Sequence, residues 1–223
     1  MSTEAPADKA GRKLRYVIKE LKNTYQLNMN VIAHSLGNRV LLTAMNELGK
    51  RDGRDFIDHA FLWEAAVPCT ALSNDPSKDT TLKQNGHFEN AYKAAKKITV
   101  LYSHWDWVLG LSYPLATYLG MTPYEALARM DHLAIQTFLS DERARNGWEM
   151  PTYLDQLFAQ EGSALLQKPH QKYGRSDMNE ALGYAGPDAD TKQRLEKIGK
   201  LISANTSQWI HSHSAMKILR RRS

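Results

Sequence analysis

The segment that most constrains the fold is Val31-Ile32-Ala33-His34-Ser35-Leu36-Gly37-Asn38. Met29 to Ala33 is a short apolar run with β-branched Val31 and Ile32, which predicts a buried strand. Directly after the turn residues, Val40, Leu41, Ala44, Met45 and Leu48 recur at helical spacing, and Gly49 is expected to end that helix. A buried strand, a sharp turn with serine at its tip and a helix behind it describe a nucleophile elbow. The general pattern is G-x-S-x-G, with Ala33 in place of the first glycine. Small residues are expected two positions either side of the serine, because the turn brings strand and helix together. Such a turn lifts the hydroxyl of Ser35 clear of the sheet and sets the N–H groups of a helix N-terminus beneath it, where they can face an oxyanion. The plainer alternative is that Ser35 only N-caps the helix.

The rest of the chain repeats this grammar. Residues 1–8 are polar and expected to be a disordered tail, and Leu14, Val17, Ile18, Leu21 and Tyr25 mark an amphipathic helix over Lys9 to Tyr25. Further strands are predicted at Ala60 to Val67 and Ile98 to Ser103, with a weaker one at Lys197 to Ser203. Glu89 to Lys97 reads as a helix, and Ser214 to Arg221 as a closing one. Residues 110–166 read as a helical excursion or lid, and residues 168–191 as loop. Strands alternating with helices predict an α/β fold, a three-layer αβα sandwich around a shortened, mostly parallel sheet. The whole of residues 1–223 is expected to form a single domain.

Composition narrows the class. Chain length of 223 residues suits one domain with a real core, and 42% apolar against 24% charged residues is the balance of a soluble globular protein. Mean hydropathy of −0.52 argues against a membrane-spanning protein. A net charge of +5 is too diffuse to argue for nucleic acid, since its one concentration is Arg220, Arg221 and Arg222. A single cysteine, Cys69, excludes an intramolecular disulfide framework and a multi-cysteine zinc site. The polar start (Met1 to Asp8) has no apolar signal region, so a cytoplasmic location is expected.

Serine at its ordinary pKa is a weak nucleophile; it needs a histidine base, and the histidine a carboxylate to orient it. In α/β folds of this kind the chain order is serine, acid, histidine. Asp106 follows the strand Ile98 to Ser103 and is the expected acid, with a helix cap as its bland alternative and Glu64 and Asp75 as fallback acids. The base is expected in a loop after the last strand, where His211 and His213 are alternatives and His213 is favoured. His34, beside the serine, is read as shaping the turn. Pairs such as His211-x-His213 and His104-x-Asp106 suit metal ligands, but no H-E-x-x-H or Asp-rich cluster accompanies them. No metal and no cofactor is expected. The aromatics Trp105, Trp107, Tyr113 and Tyr118 are read first as core packing, and second as the lining of an acyl pocket.

Three blocks carry a resemblance: Ala33-His34-Ser35-Leu36-Gly37-Asn38-Arg39-Val40, the run from Val100 to Leu109, and Ser212-His213-Ser214-Ala215-Met216-Lys217. Together they resemble the bacterial alpha/beta-hydrolase superfamily, in particular a branch of uncharacterised serine hydrolases with an A-H-S-x-G-N elbow. The resemblance implies Ser35 as nucleophile, Asp106 as acid, His213 as base and the Leu36 N–H as an oxyanion donor. It implies a small-molecule acyl ester as substrate, with no nucleic acid and no membrane span. In such hydrolases the elbow follows the fifth strand of eight, whereas only one helix is predicted ahead of it here. The sheet is therefore expected to have an exposed flank. Three explanations stay open: a piece of a longer protein, a minimal hydrolase whose edge is covered by a partner or second copy, or a relative that no longer turns over and serves as an interaction module.

Overall fold

A computed structural model of the protein describes residues 4–53, 55–75, 87–106, 108–113, 180–212 and 215–216. Within them, four strands form one parallel sheet: β1 (Asn30–His34), β2 (Ile57–Trp63), β3 (Ala95–Tyr102) and β4 (Leu201–Asn205), in the spatial order β1-β2-β3-β4. The register aligns His34 with Trp63 and Trp63 with Leu101, so the strands end at nearly one level.

Alternation along the strands gives one face its apolar content. Ala33, Ala60, Leu62, Ile98, Val100 and Leu201 share a core with Leu41, Leu42, Met45 and Leu48 of α2 (Gly37–Arg51) and Ile18 of α1 (Glu4–Asn23). Each fully buried leucine, isoleucine, valine or methionine among them contributes about 1.5–3 kcal/mol by leaving water. Leu182 of the short α3 (Leu182–Ala185) and Leu195 of α4 (Ala189–Lys197) join the same core. The other face carries Ile32, which is 69% exposed, and Ile202, which is 43% exposed. β1 and β4 are the two edges of the sheet, and the exposed Ile32 lies on the β1 flank.

The chain is an α/β protein with a shortened parallel sheet, as its alternating pattern implies, and it departs from the expected boundaries in instructive ways. Helix α1 begins at Glu4, inside the stretch expected to be a disordered tail, because Asp8 has a buried partner in Arg39. Helix α2 runs through Gly49 to Arg51 instead of stopping there. Gly49 serves a close approach: a Cβ on it would lie 2.1 Å from the carbonyl oxygen of Asn90. Where a helix over Glu89 to Lys97 is expected, only a 3-10 turn, Ala91–Ala94, forms before β3. Ala95 and Lys97 pair with Ile57 and His59, so sheet pairing overrides local helical spacing.

The second strand ends at Trp63, short of Val67, because Glu64 turns the chain with φ +43. The expected loop over residues 168–191 contains α3 and the start of α4. Helix α4 is capped by Asp188, whose side chain accepts the Thr191 N–H, and it buries only Thr191 and Leu195, too few for a visible hydrophobic stripe. Of the closing helix expected over Ser214 to Arg221, only Ala215–Met216 (β6) lies within the described residues, and it pairs antiparallel with Ile210–Ser212 (β5). Of the expected excursion over residues 110–166, all but residues 110–113 lies outside the described residues; a π-helical stretch, Val108–Ser112, opens it. Among the described residues no helix is long and apolar enough to cross a membrane.

Candidate active site

Parallel strands place the chain segments that leave their C-terminal ends along one edge of the sheet, where α/β proteins bind ligands. Ser35 leaves β1 there. Its backbone is left-handed, with φ +51, a conformation that only a few per cent of non-glycine residues adopt. Helix α2 starts at Gly37, and its N-cap is Leu36, with no side-chain cap hydrogen bond. The N-cap position thus falls on Leu36, one residue beyond Ser35.

The turn is tightly bonded to the next strand. Ser35 N–H donates to the Trp63 carbonyl at 3.1 Å, and the Ser35 carbonyl accepts from Ala66 N–H at 3.2 Å and Asn38 N–H at 3.1 Å. Asn38, fully buried, donates from Nδ2 to the Ser35 carbonyl at 3.0 Å and to the Trp63 carbonyl at 2.9 Å. Ala33 is buried, in keeping with a small residue behind the turn. Gly37 differs from expectation: a Cβ on it would meet nothing within 4 Å, so open space and not crowding surrounds it.

Glu64 leaves β2 one strand over, in register just beyond Trp63 and so level with Ser35. Its carboxylate is buried, and Oε2 lies 2.8 Å from Nε2 of His34. The His34 ring also meets Trp63 edge-on at 5.2 Å. As a fallback acid Glu64 is thus already engaged by a histidine inside the turn. Asp75, the other fallback, sits in the loop after β2, where its N–H donates to the Ser73 hydroxyl.

Asp106 follows β3, two strands from Ser35, a lateral offset of roughly 10 Å at about 4.8 Å per strand. It is fully buried, and its Oδ1 accepts the Leu109 N–H at 3.0 Å while its carbonyl accepts the Gly110 N–H at 2.8 Å. The carboxylate therefore does cap the turn behind it, through one oxygen. The turn is itself anchored: Ser103 N–H donates to the Gly183 carbonyl, and Trp105 N–H to the Ser103 hydroxyl. A Cβ on Gly110 would lie 2.4 Å from the Tyr184 ring, so the segment after Asp106 packs flat against α3. Tyr113 is buried, and Trp105 is partly so. Trp107 and Tyr118 lie outside the described residues.

The chain also leaves β4 at this edge of the sheet. Beyond β4, Thr206 binds the Tyr102 carbonyl through both N–H and hydroxyl, and Ser207 Oγ accepts from His104 N–H. This ties the chain to the end of β3 just before β5, which carries His211 in its backbone. His213 lies outside the described residues. Among the described residues, no group of three or more His, Cys, Asp or Glu side chains is placed to hold a metal ion.

Four parallel strands with helices on their core face, and a serine in a left-handed turn between the first strand and its helix, define an alpha/beta-hydrolase type of protein. The chain belongs to the family described as alpha/beta hydrolase of unknown function (DUF900), whose model matches residues 4–124. No curated protein and no solved structure matches it. The matched stretch includes Ser35, Glu64 and Asp106, and stops short of His211 and His213.

Sequence reasoning singled out Ser35, Leu36 and Asp106, and gave His34 a shaping part. It missed the partnership of His34 with Glu64 and the double donation by Asn38. Neither has a signal in spacing, because both cross from one strand end to the next.

Proposed function

We propose that the protein is a serine hydrolase cleaving an ester-type acyl bond, with Ser35 as nucleophile, His213 as base and Asp106 as acid. The observation that carries this reading is the left-handed Ser35 at the end of β1, with the N-terminus of α2 behind it and open space over Gly37. The Ser35 Oγ attacks the acyl carbonyl carbon while its proton passes to His213. The oxyanion formed faces the N–H of Leu36. Return of that proton to the leaving alcohol oxygen breaks the ester bond and leaves an acyl-enzyme. Water, deprotonated by the same histidine, then releases the acid. Asp106 orients the imidazole and stabilises its charged form, and its fixed hydrogen bond to Leu109 N–H holds the carboxylate in one orientation.

The test is covalent labelling with a fluorophosphonate probe, read by intact mass. A single adduct on the wild type that is lost in Ser35→Ala supports the reading. No adduct on a folded, cooperatively melting wild type sinks it. Full labelling of both Asp106→Asn and His213→Ala would keep the nucleophile and discard the rest of the triad.

A second reading, an interaction module on the same fold, is favoured by the exposed Ile32 on the β1 edge. Tight association with a second chain, unaffected by Ser35→Ala and lost in Ile32→Lys, would support it.

A further inference from the structure

We propose that Asn38 is the positioning residue of the nucleophile: its carboxamide holds the Ser35 backbone in the left-handed conformation that presents the hydroxyl. This rests on the reading of Ser35 as nucleophile. A left-handed non-glycine residue costs on the order of 1–3 kcal/mol and persists only where its surroundings fix it. Here the fixing groups can be named. Both Nδ2 hydrogens of Asn38 are spent, one on the Ser35 carbonyl at 3.0 Å and one on the Trp63 carbonyl at 2.9 Å. The Trp63 carbonyl is also the acceptor for Ser35 N–H. One nitrogen thus bridges the carbonyl after the turn residue to the carbonyl that pins the turn residue's own N–H.

The chemistry of the side chain is specific to this task. Two donors on one nitrogen, on a side chain short enough to reach back three residues, is what asparagine supplies. Aspartate has the shape but no donor when ionised, and serine has a single one. The polarity is also opposite to that of an ordinary helix cap, whose side-chain oxygen accepts N–H bonds. Asn38 lies in the first turn of α2, yet donates out of the helix to carbonyls of the sheet end. It is fully buried, so these bonds are sheltered from competing water. Since its side chain donates to the backbone carbonyls of Ser35 and Trp63, it acts through Ser35 and not on substrate.

The experiment compares fluorophosphonate labelling kinetics of wild type, Asn38→Ala, Asn38→Ser and Leu48→Ala, each well below its melting temperature. Leu48 is buried in the core near the far end of α2, and its truncation lowers stability without touching the turn. The expected result is a maximal labelling rate reduced about 10²-fold in Asn38→Ala, the scale of a misplacement of about 1 Å, with the half-saturating probe concentration unchanged. Asn38→Ser, with one donor, falls between, and Leu48→Ala labels at the wild-type rate. Should Asn38→Ala not fold, the intermediate rate of Asn38→Ser carries the test. A folded Asn38 variant labelling as fast as wild type overturns the proposal, as does an equal slowing in Leu48→Ala. A wild type that takes no label removes the nucleophile reading and this inference with it, which separates the two failures.

Discussion

His34 and Glu64 are joined across the ends of two adjacent strands, Nε2 to Oε2 at 2.8 Å, with the carboxylate 1% exposed and the imidazole side chain 41% exposed. They flank Ser35, so two neighbouring parallel strands both end in left-handed residues, Ser35 at φ +51 and Glu64 at φ +43. For Glu64 two effects compete. Its hydrogen bond to His34 stabilises the strand ends, while its backbone conformation penalises any residue with a Cβ by about 1–2 kcal/mol. Glu64→Ala keeps the backbone penalty and loses the bond; Glu64→Gly loses both. Glu64→Gly is therefore expected to be more stable than Glu64→Ala by about 1 kcal/mol, measured as the difference between their urea unfolding free energies. Equal stabilities would mean that the left-handed backbone carries no cost here.

Asp8 and Arg39 form the other cross-element pair, with Arg39 Nε to Asp8 Oδ1 at 2.9 Å and the second nitrogen, NH2, to Oδ2 at 3.1 Å. Thr43 Oγ1 lies 3.2 Å from the same Oδ1, so α1 is fastened to α2 through a buried carboxylate. Removing one member of a buried pair costs about 3–5 kcal/mol, because the partner charge stays buried. Both Asp8→Ala and deletion of residues 1–8 are expected to lose stability on this scale in chemical denaturation. A loss below about 1 kcal/mol would show that Arg39 is satisfied without Asp8.

Much of the architecture was legible in the sequence because it rests on one-dimensional signals. The short apolar, β-branched run before Ser35 states a strand, and the stripe from Val40 to Leu48 states a helix in period 3.6. Asp106 was singled out the same way, as the expected acid after a recognisable strand. What stayed hidden is set by contacts between distant segments. Asp8 reads as tail until Arg39 is seen opposite it, and Gly49 reads as a helix stop until Asn90 is seen against it. The double donation of Asn38 needs a carbonyl from β2, 25 residues away, which no local pattern announces.

Two glycines near the site are expected to respond in opposite ways to alanine. A Cβ on Gly183 would stand 2.1 Å from the Ala65 nitrogen and 2.3 Å from the Glu64 carbonyl carbon, both backbone atoms that cannot swing aside. Gly183→Ala is expected to cost about 1–3 kcal/mol or more through overpacking. At Gly37 the added methyl meets nothing, and alanine at the start of α2 narrows the unfolded ensemble, so Gly37→Ala is expected to gain about 0.4–1 kcal/mol. Melting curves of the two variants test both signs together. A Gly183→Ala protein as stable as wild type would mean that α3 does not sit against the end of β2.

His59 supplies a pH dependence. It lies in β2 beside Lys97 of β3, with Nε2 2.7 Å from Thr99 Oγ1, and burial, followed by the Lys97 charge, lowers its pKa below the usual histidine value. The unfolded chain then binds a proton that the folded one resists, so this contribution is full above about pH 6.5 and is lost as pH falls toward the lowered folded value. The difference in urea midpoint between pH 7.5 and pH 5.5 is expected to shrink in His59→Gln. An unchanged difference would assign the pH dependence to other groups.

Cys69 is expected to be chemically silent in the folded protein. Its thiol is pushed up to about 12, first by burial and then by the negative charges of Glu180 and Asp188. At pH 8 about one molecule in 10⁴ would carry a thiolate, against roughly a quarter for an ordinary cysteine near 8.5, and the thiolate is the reactive form. Alkylation by iodoacetamide should therefore be about 10³-fold slower than for a free thiol, and recover on unfolding in urea. The segment is also stapled in place, since Cys69 N–H donates to the Glu180 carbonyl at 2.6 Å and its own carbonyl accepts from Asp188 N–H at 3.3 Å. Rapid native alkylation would show that this crossing of the 66–71 loop and α3 opens at low cost. Slow alkylation, combined with fluorophosphonate labelling that is lost in Ser35→Ala, would leave Cys69 out of the nucleophilic chemistry.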